Sequence, residues 1–127
     1  MDNTYLLFFL GGFHFLLPLM RVERVTGMND REPELVMADP GELAEGAQAM
    51  GQPYLIIADG GGRVGIGAER VDGLVHVEKD RIYPLPDPVR TDANRYLAGV
   101  ARMEEEETGV WLAYVLNPLF LTRQPAG

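Results

Sequence analysis

Apolar residues in this chain come in short blocks broken by glycine, and the same order of blocks occurs twice. Tyr5-Leu6-Leu7-Phe8 leads through Gly11-Gly12 into a second apolar segment and then Glu23-Arg24-Val25. Tyr54-Leu55-Ile56-Ile57 leads through Gly60-Gly61-Gly62 into a second segment and then Glu69-Arg70-Val71. Blocks of this length, rich in aromatic and β-branched residues, predict strand, tight glycine turn, strand in each copy. The repetition predicts two similar small β subdomains that share a core, rather than one sheet under a layer of helices. Nearly unbroken apolarity in the first copy predicts strands covered on both faces.

Elsewhere the pattern is more open. Thr26 to Pro33 is polar and rich in turn formers, which predicts an exposed loop. A short strand is expected over Glu34 to Ala38, and Asp39-Pro40 then starts a short helix through Glu45, because Asp accepts from free helix N–H groups and Pro fits the first turn. Further strands are expected at Tyr54 to Ala58, Val64 to Ala68, Gly73 to Val77, Tyr96 to Met103 and Val110 to Leu116. Tyr83 to Pro88 has three prolines and predicts an extended surface crossing. Glu104 to Gly109 reads as a solvated hairpin tip, and Asn117-Pro118 as the cap of a last short turn.

Composition removes several classes of function. With 19 acidic against 11 basic residues and a net charge of -8, the surface repels a phosphate backbone and an anionic membrane, so no nucleic-acid partner is expected. The absence of cysteine leaves neither disulfides nor thiolate ligands and fits a reducing, cytoplasmic compartment. The apolar run Tyr5 to Met20 follows an acidic start without Lys or Arg and is interrupted by Gly11-Gly12, His14 and Pro18. It therefore reads as a hairpin rather than a signal peptide or a membrane span.

Candidate chemistry is sparse. His14 and His76 each lie in an alternating apolar strand without a second ligand at metal spacing, and neither metal nor cofactor is expected. Carboxylate pairs such as Asp59 with Asp72, or Glu69 with Asp72, are read as turn and surface groups rather than catalytic ones. Gly60-Gly61-Gly62 lacks the Gly-Lys-Ser/Thr and the helix of a phosphate loop. Trp111, Phe8, Phe9, Phe13 and Phe15 are expected to fill the core, while Val22, Val25 and Met28 are candidates for an exposed apolar contact.

The order of elements resembles the CheW-like family, the adaptor domain of bacterial chemotaxis. Phe15-Leu16-Leu17-Pro18-Leu19-Met20-Arg21-Val22-Glu23-Arg24-Val25 looks like its first hairpin and the segment after it. Arg63 to Gly73 resembles its G-L-x-V-D-x-V-x-G strand and turn, and Tyr96-Leu97-Ala98-Gly99-Val100-Ala101 its Y-I-x-G-V-A strand. The pattern departs from the family before Leu35, where no Arg-Gly turn is found.

The resemblance implies an all-β fold of two intertwined SH3-like five-stranded barrels, the first truncated, with one or two short helices. It implies a single domain over 1–127, with subdomains at about 14–53 plus exchanged strands and about 54–115. It further implies a non-enzymatic adaptor coupling a chemoreceptor's signalling helices to the regulatory domain of a CheA-type histidine kinase. Val22, Glu23, Arg24, Val25, Val36, Val100 and Arg102 are the expected partner contacts. A regulatory or dimeric scaffold without receptor coupling and a small-molecule-binding barrel are the alternatives. A truncated barrel also predicts self-association, with the exposed edge of Glu34 to Ala38 or the adjoining first-hairpin strand at the contact.

Overall fold

The computed structural model describes residues 3–38, 51–84 and 97–120 and the short strand at 123–124. Both glycine-broken repeats fold as antiparallel hairpins. In the first, β1 (Thr4–Leu10) and β2 (Phe13–Pro18) pair from Tyr5 with Pro18 to Leu10 with Phe13. Only Gly11 and Gly12 remain for the turn, and both have positive φ, 60° and 89°. A two-residue turn that matches strand twist requires positive φ at both positions, which is why glycine occupies them. In the second, β5 (Tyr54–Asp59) pairs with β6 (Arg63–Ala68), closed by Gly60 to Gly62.

The third strand of each repeat crosses to the other hairpin. β3 (Val22–Gly27) follows the first hairpin yet pairs with β5 of the second, while β7 (Arg70–His76) follows the second and pairs with β1. β4 (Met37–Ala38) then lies parallel to β6, as β10 (Gly109–Leu116) lies parallel to β2. β8 (Ile82–Tyr83), β9 (Leu97–Glu105) and β11 (Arg123–Gln124) complete two sheets, ordered β7-β1-β2-β10-β9-β8 and β3-β5-β6-β4-β11. All five strands of the second sheet match the first five of the six-stranded sheet in order, so the molecule is two intertwined copies of one strand order. Among the described residues, β4 and β11 of the second sheet comprise two residues each.

Burial follows the strand period of two. Leu6, Phe8 and Leu10 of β1 enter a central cluster with Ile56, Ala58, Val64 and Ile66, whereas Tyr5 and Leu7 enter a second cluster confined to the six-stranded sheet. Val75 and Ile82, from opposite edges of that sheet, pack on the same second cluster, so the sheet rolls over it. Leu55 and Ile57 of β5 do the same for a third cluster with Leu35 and Met37. Phe8 stacks on Phe15 at 5.5 Å and both are buried, each contributing about 1.5–3 kcal/mol by leaving water.

Several expectations need correction. The two Glu-Arg-Val triplets are not equivalent in space: Arg70 stands opposite Phe9, while the matching position Ala58 stands opposite Val22. The strand at 34–38 is only Met37–Ala38, because Leu35 N–H donates to Glu32 in a turn. It is not an edge, since β6 and β11 flank it, and β1 and β2 are likewise paired on both sides. The Asp39 to Glu45 helix and residues 85–88 of the proline segment lie outside the described residues. Asn117 caps the final 3-10 turn as expected, its Oδ1 accepting from Leu119 N–H at 3.1 Å.

Candidate functional site: an uncovered face of the six-stranded sheet

β10 reads Gly-Val-Trp-Leu-Ala-Tyr-Val-Leu, and its alternation sends Trp111, Ala113 and Val115 into the second cluster. Tyr114 and Leu116 then face the central cluster, where the five-stranded sheet covers them. Leu112 and Val110 continue the same row beyond that cover and stay exposed, at 53% and 54%. On β9, Val100 stands opposite Tyr114, Arg102 opposite Leu112 and Glu104 opposite Val110. On β2, Phe13 sits beside Leu112, one step from the Ala113 and His14 pair, and its ring meets Tyr114 edge-on at 5.9 Å. Tyr83 of β8 stands opposite Val100 and is half exposed.

The result is a band across four strands in which Phe13, Leu112, Val110, Val100 and Tyr83 form the apolar middle. Charged groups rim it: Glu104 pairs with Arg81 at 3.3 Å and with Arg102 at 3.4 Å. An apolar centre with a polar rim is the anatomy of a protein contact, and contiguous exposed apolar area on a small protein calls for a partner. Val100 and Arg102, expected from the sequence, fall within this band.

The other five expected residues do not. Val22, Glu23, Arg24 and Val25 lie on β3, the edge of the five-stranded sheet. Val22 is half buried against the central cluster and Met28 packs on the third, which leaves Val25 exposed on β3; Met20, in the connection that leads into β3, is also exposed. Glu23 is the extra residue of a bulge between Val22 and Arg24. Arg63 of β6 donates to Glu23 and to Glu32, each at 2.9 Å, and Arg24 reaches Glu32 at 3.4 Å. The Arg63 hydrogen bond and charge hold the Glu32 carboxyl below its usual value, and the two carboxylates raise that of Arg63. Charge and a bulge blunt an edge against strand addition, so this network orients β3 rather than opening it to a partner strand. Val36 is half buried, its carbonyl accepting from Gly65 N–H at 2.8 Å, which removes it from any edge contact.

The carboxylates weighed for catalysis have structural partners. Asp72 takes Arg70 at 2.6 and 3.2 Å, Glu69 accepts from Gly11 N–H at 3.1 Å, and Asp59 accepts from Gly61 N–H and pairs with Arg21. Among the described residues no three His, Asp or Glu side chains gather as a metal site, and no helix is long and apolar enough to cross a membrane. Phe13 is not the core residue expected, since it is 42% exposed. Phe13, Tyr83, Val110 and Leu112 are exposed apolar residues of the band that the sequence did not single out, since every residue from Val110 to Leu116 is apolar and no polar alternation marks the outward face.

This architecture is an all-β fold of CheW-like type. The scaffolding protein TtCheW from Thermoanaerobacter tengcongensis has the same fold, aligning with a TM-score of 0.64 over 91% of this chain and 89% of that one, at 15% sequence identity. No protein-family profile matches the chain, and no curated protein does.

Proposed function

We propose that this protein is a non-enzymatic cytoplasmic adaptor that couples a chemoreceptor to a CheA-type histidine kinase. The observation that carries the reading is the CheW-like strand order, shared with a scaffolding protein over nine-tenths of the chain. The Phe13, Leu112 and Val110 band, with Val100 and Arg102, supports a role in docking the kinase regulatory domain. Met20, just before the exchanged strand β3, and Val25 within it are the proposed contacts for receptor helices.

Calorimetric titration against a CheA-type regulatory domain and a receptor signalling tip tests the proposal. Binding to the kinase domain is expected to be the tighter of the two. Tight receptor binding with no kinase binding reverses the assignment of the band, and binding to neither removes the adaptor function.

A further inference from the structure

We propose that the cleft on the concave side of the six-stranded sheet binds a small aromatic amine. It has a volume of about 540 Å³, within the range of small-molecule sites. Leu7 and Val75, which belong to or pack on the second cluster, form its apolar floor. Trp111 and His14 stand side by side along one wall, their ring centroids 4.6 Å apart. Trp111 is the core-facing residue of β10 nearest the hairpin tip, where the sheet no longer closes over it, so the indole is only half buried. Neither its N–H nor the His14 imidazole has a hydrogen-bond partner among the described residues.

The charges at the mouth select the ligand's sign. Asp72 is occupied by both guanidinium bonds of Arg70, and Arg70 also lies over the Phe9 ring at 4.9 Å. Glu105, by contrast, accepts only the Thr108 hydroxyl, at 3.1 Å, and no cationic side chain pairs with it among the described residues. A carboxylate without a counterion, lining the same cleft as an indole, favours an ammonium through the ion pair, to which the aromatic wall adds the attraction of a cation to a ring. An anionic ligand meets Glu105 and a chain of net charge -8. A flat apolar ring on the ligand completes the fit by covering Trp111 and the floor. The cleft and the Phe13 to Leu112 band lie on opposite faces of the same strands, because side chains alternate along β2 and β10. Ligand binding is therefore separable from the adaptor function.

Trp111 is the single tryptophan, so its fluorescence reports the cleft directly in the full chain. Titration with 2-phenylethylamine, 2-phenylethanol and phenylacetate compares a cation, a neutral molecule and an anion around one ring. The amine is expected to give a saturable change and to bind about five-fold more tightly than the alcohol, as a half-exposed ion pair contributes, with the acid weakest. Glu105→Gln should erase the difference between amine and alcohol while leaving the thermal melt unchanged. Thr108→Ala, which frees Glu105 from its hydroxyl, should retain the preference. Absence of saturation with the amine, equal affinity for amine and alcohol, tighter binding of the acid, or a preference that survives Glu105→Gln each overturns the proposal.

Discussion

Two glycines illustrate how a single residue sets the local backbone for different reasons. A side chain at Gly12 would meet nothing within 4 Å, so its requirement is conformational: φ is +89° in a two-residue turn. Gly12→Val is expected to cost about 1 kcal/mol or more through backbone strain alone, read as a lower urea midpoint. Gly99 has an ordinary φ but no room, because a Cβ there would sit 2.8 Å from the Tyr83 carbonyl oxygen. Backbone cannot yield as a side-chain tip does, so Gly99→Ala is expected to push β8 away and cost about 1–3 kcal/mol. The same variant should weaken binding of the kinase domain, since Tyr83 belongs to the exposed band. A denaturant series together with calorimetry separates the two effects.

At the scale of elements, the exchanged strand β3 is fastened by charge across its face, through Arg63, Glu23, Glu32 and Arg24. Glu32 has a lower proton affinity folded than unfolded, so the unfolded state binds more protons as pH falls. The contribution of Glu32 is fully present above its ordinary value, about 4.5, and is lost as pH drops through its lower folded value. Glu32→Gln is therefore expected to flatten the acid side of the melting-temperature profile while changing little at neutral pH beyond the removal of one surface pair. A profile as steep as that of the unaltered protein would place the acid sensitivity elsewhere.

For the whole molecule, the expected contact separates from the expected edge. Leu112→Glu puts a charge in the middle of the apolar band, and truncation-sensitive contact residues commonly carry about 2 kcal/mol, roughly thirty-fold in Kd. Loss of that order in kinase-domain binding is expected with no change in melting temperature, since the side chain is exposed. Val25→Glu is expected to leave kinase binding unchanged. Val36→Pro is expected to leave the oligomeric state unaltered in light scattering, because neighbouring strands flank β4 on both sides.

What the sequence determined by itself is local. Glycine runs between apolar blocks, Gly11-Gly12 and Gly60 to Gly62, specify both hairpins, because the positive backbone angles of such tight turns favour glycine, and the continuous apolarity of β1 specifies burial on both faces. The strand period of two places Val110 and Leu112 on the face opposite Trp111, although the wholly apolar sequence of β10 does not say which face is covered. Tertiary structure alone decided which strand goes to which hairpin. Nothing local in Val22 to Gly27 distinguishes pairing with β2 from pairing with β5; the exchange wins because it lets both hairpins bury Leu6, Phe8, Ile56 and Ala58 in one cluster. That packing also fixes where cover ends, and so leaves Phe13 at the edge of an exposed apolar band rather than in the core. It likewise encloses β4 between β6 and β11, so the short strand that reads as an open edge in one dimension has neighbours on both sides in three.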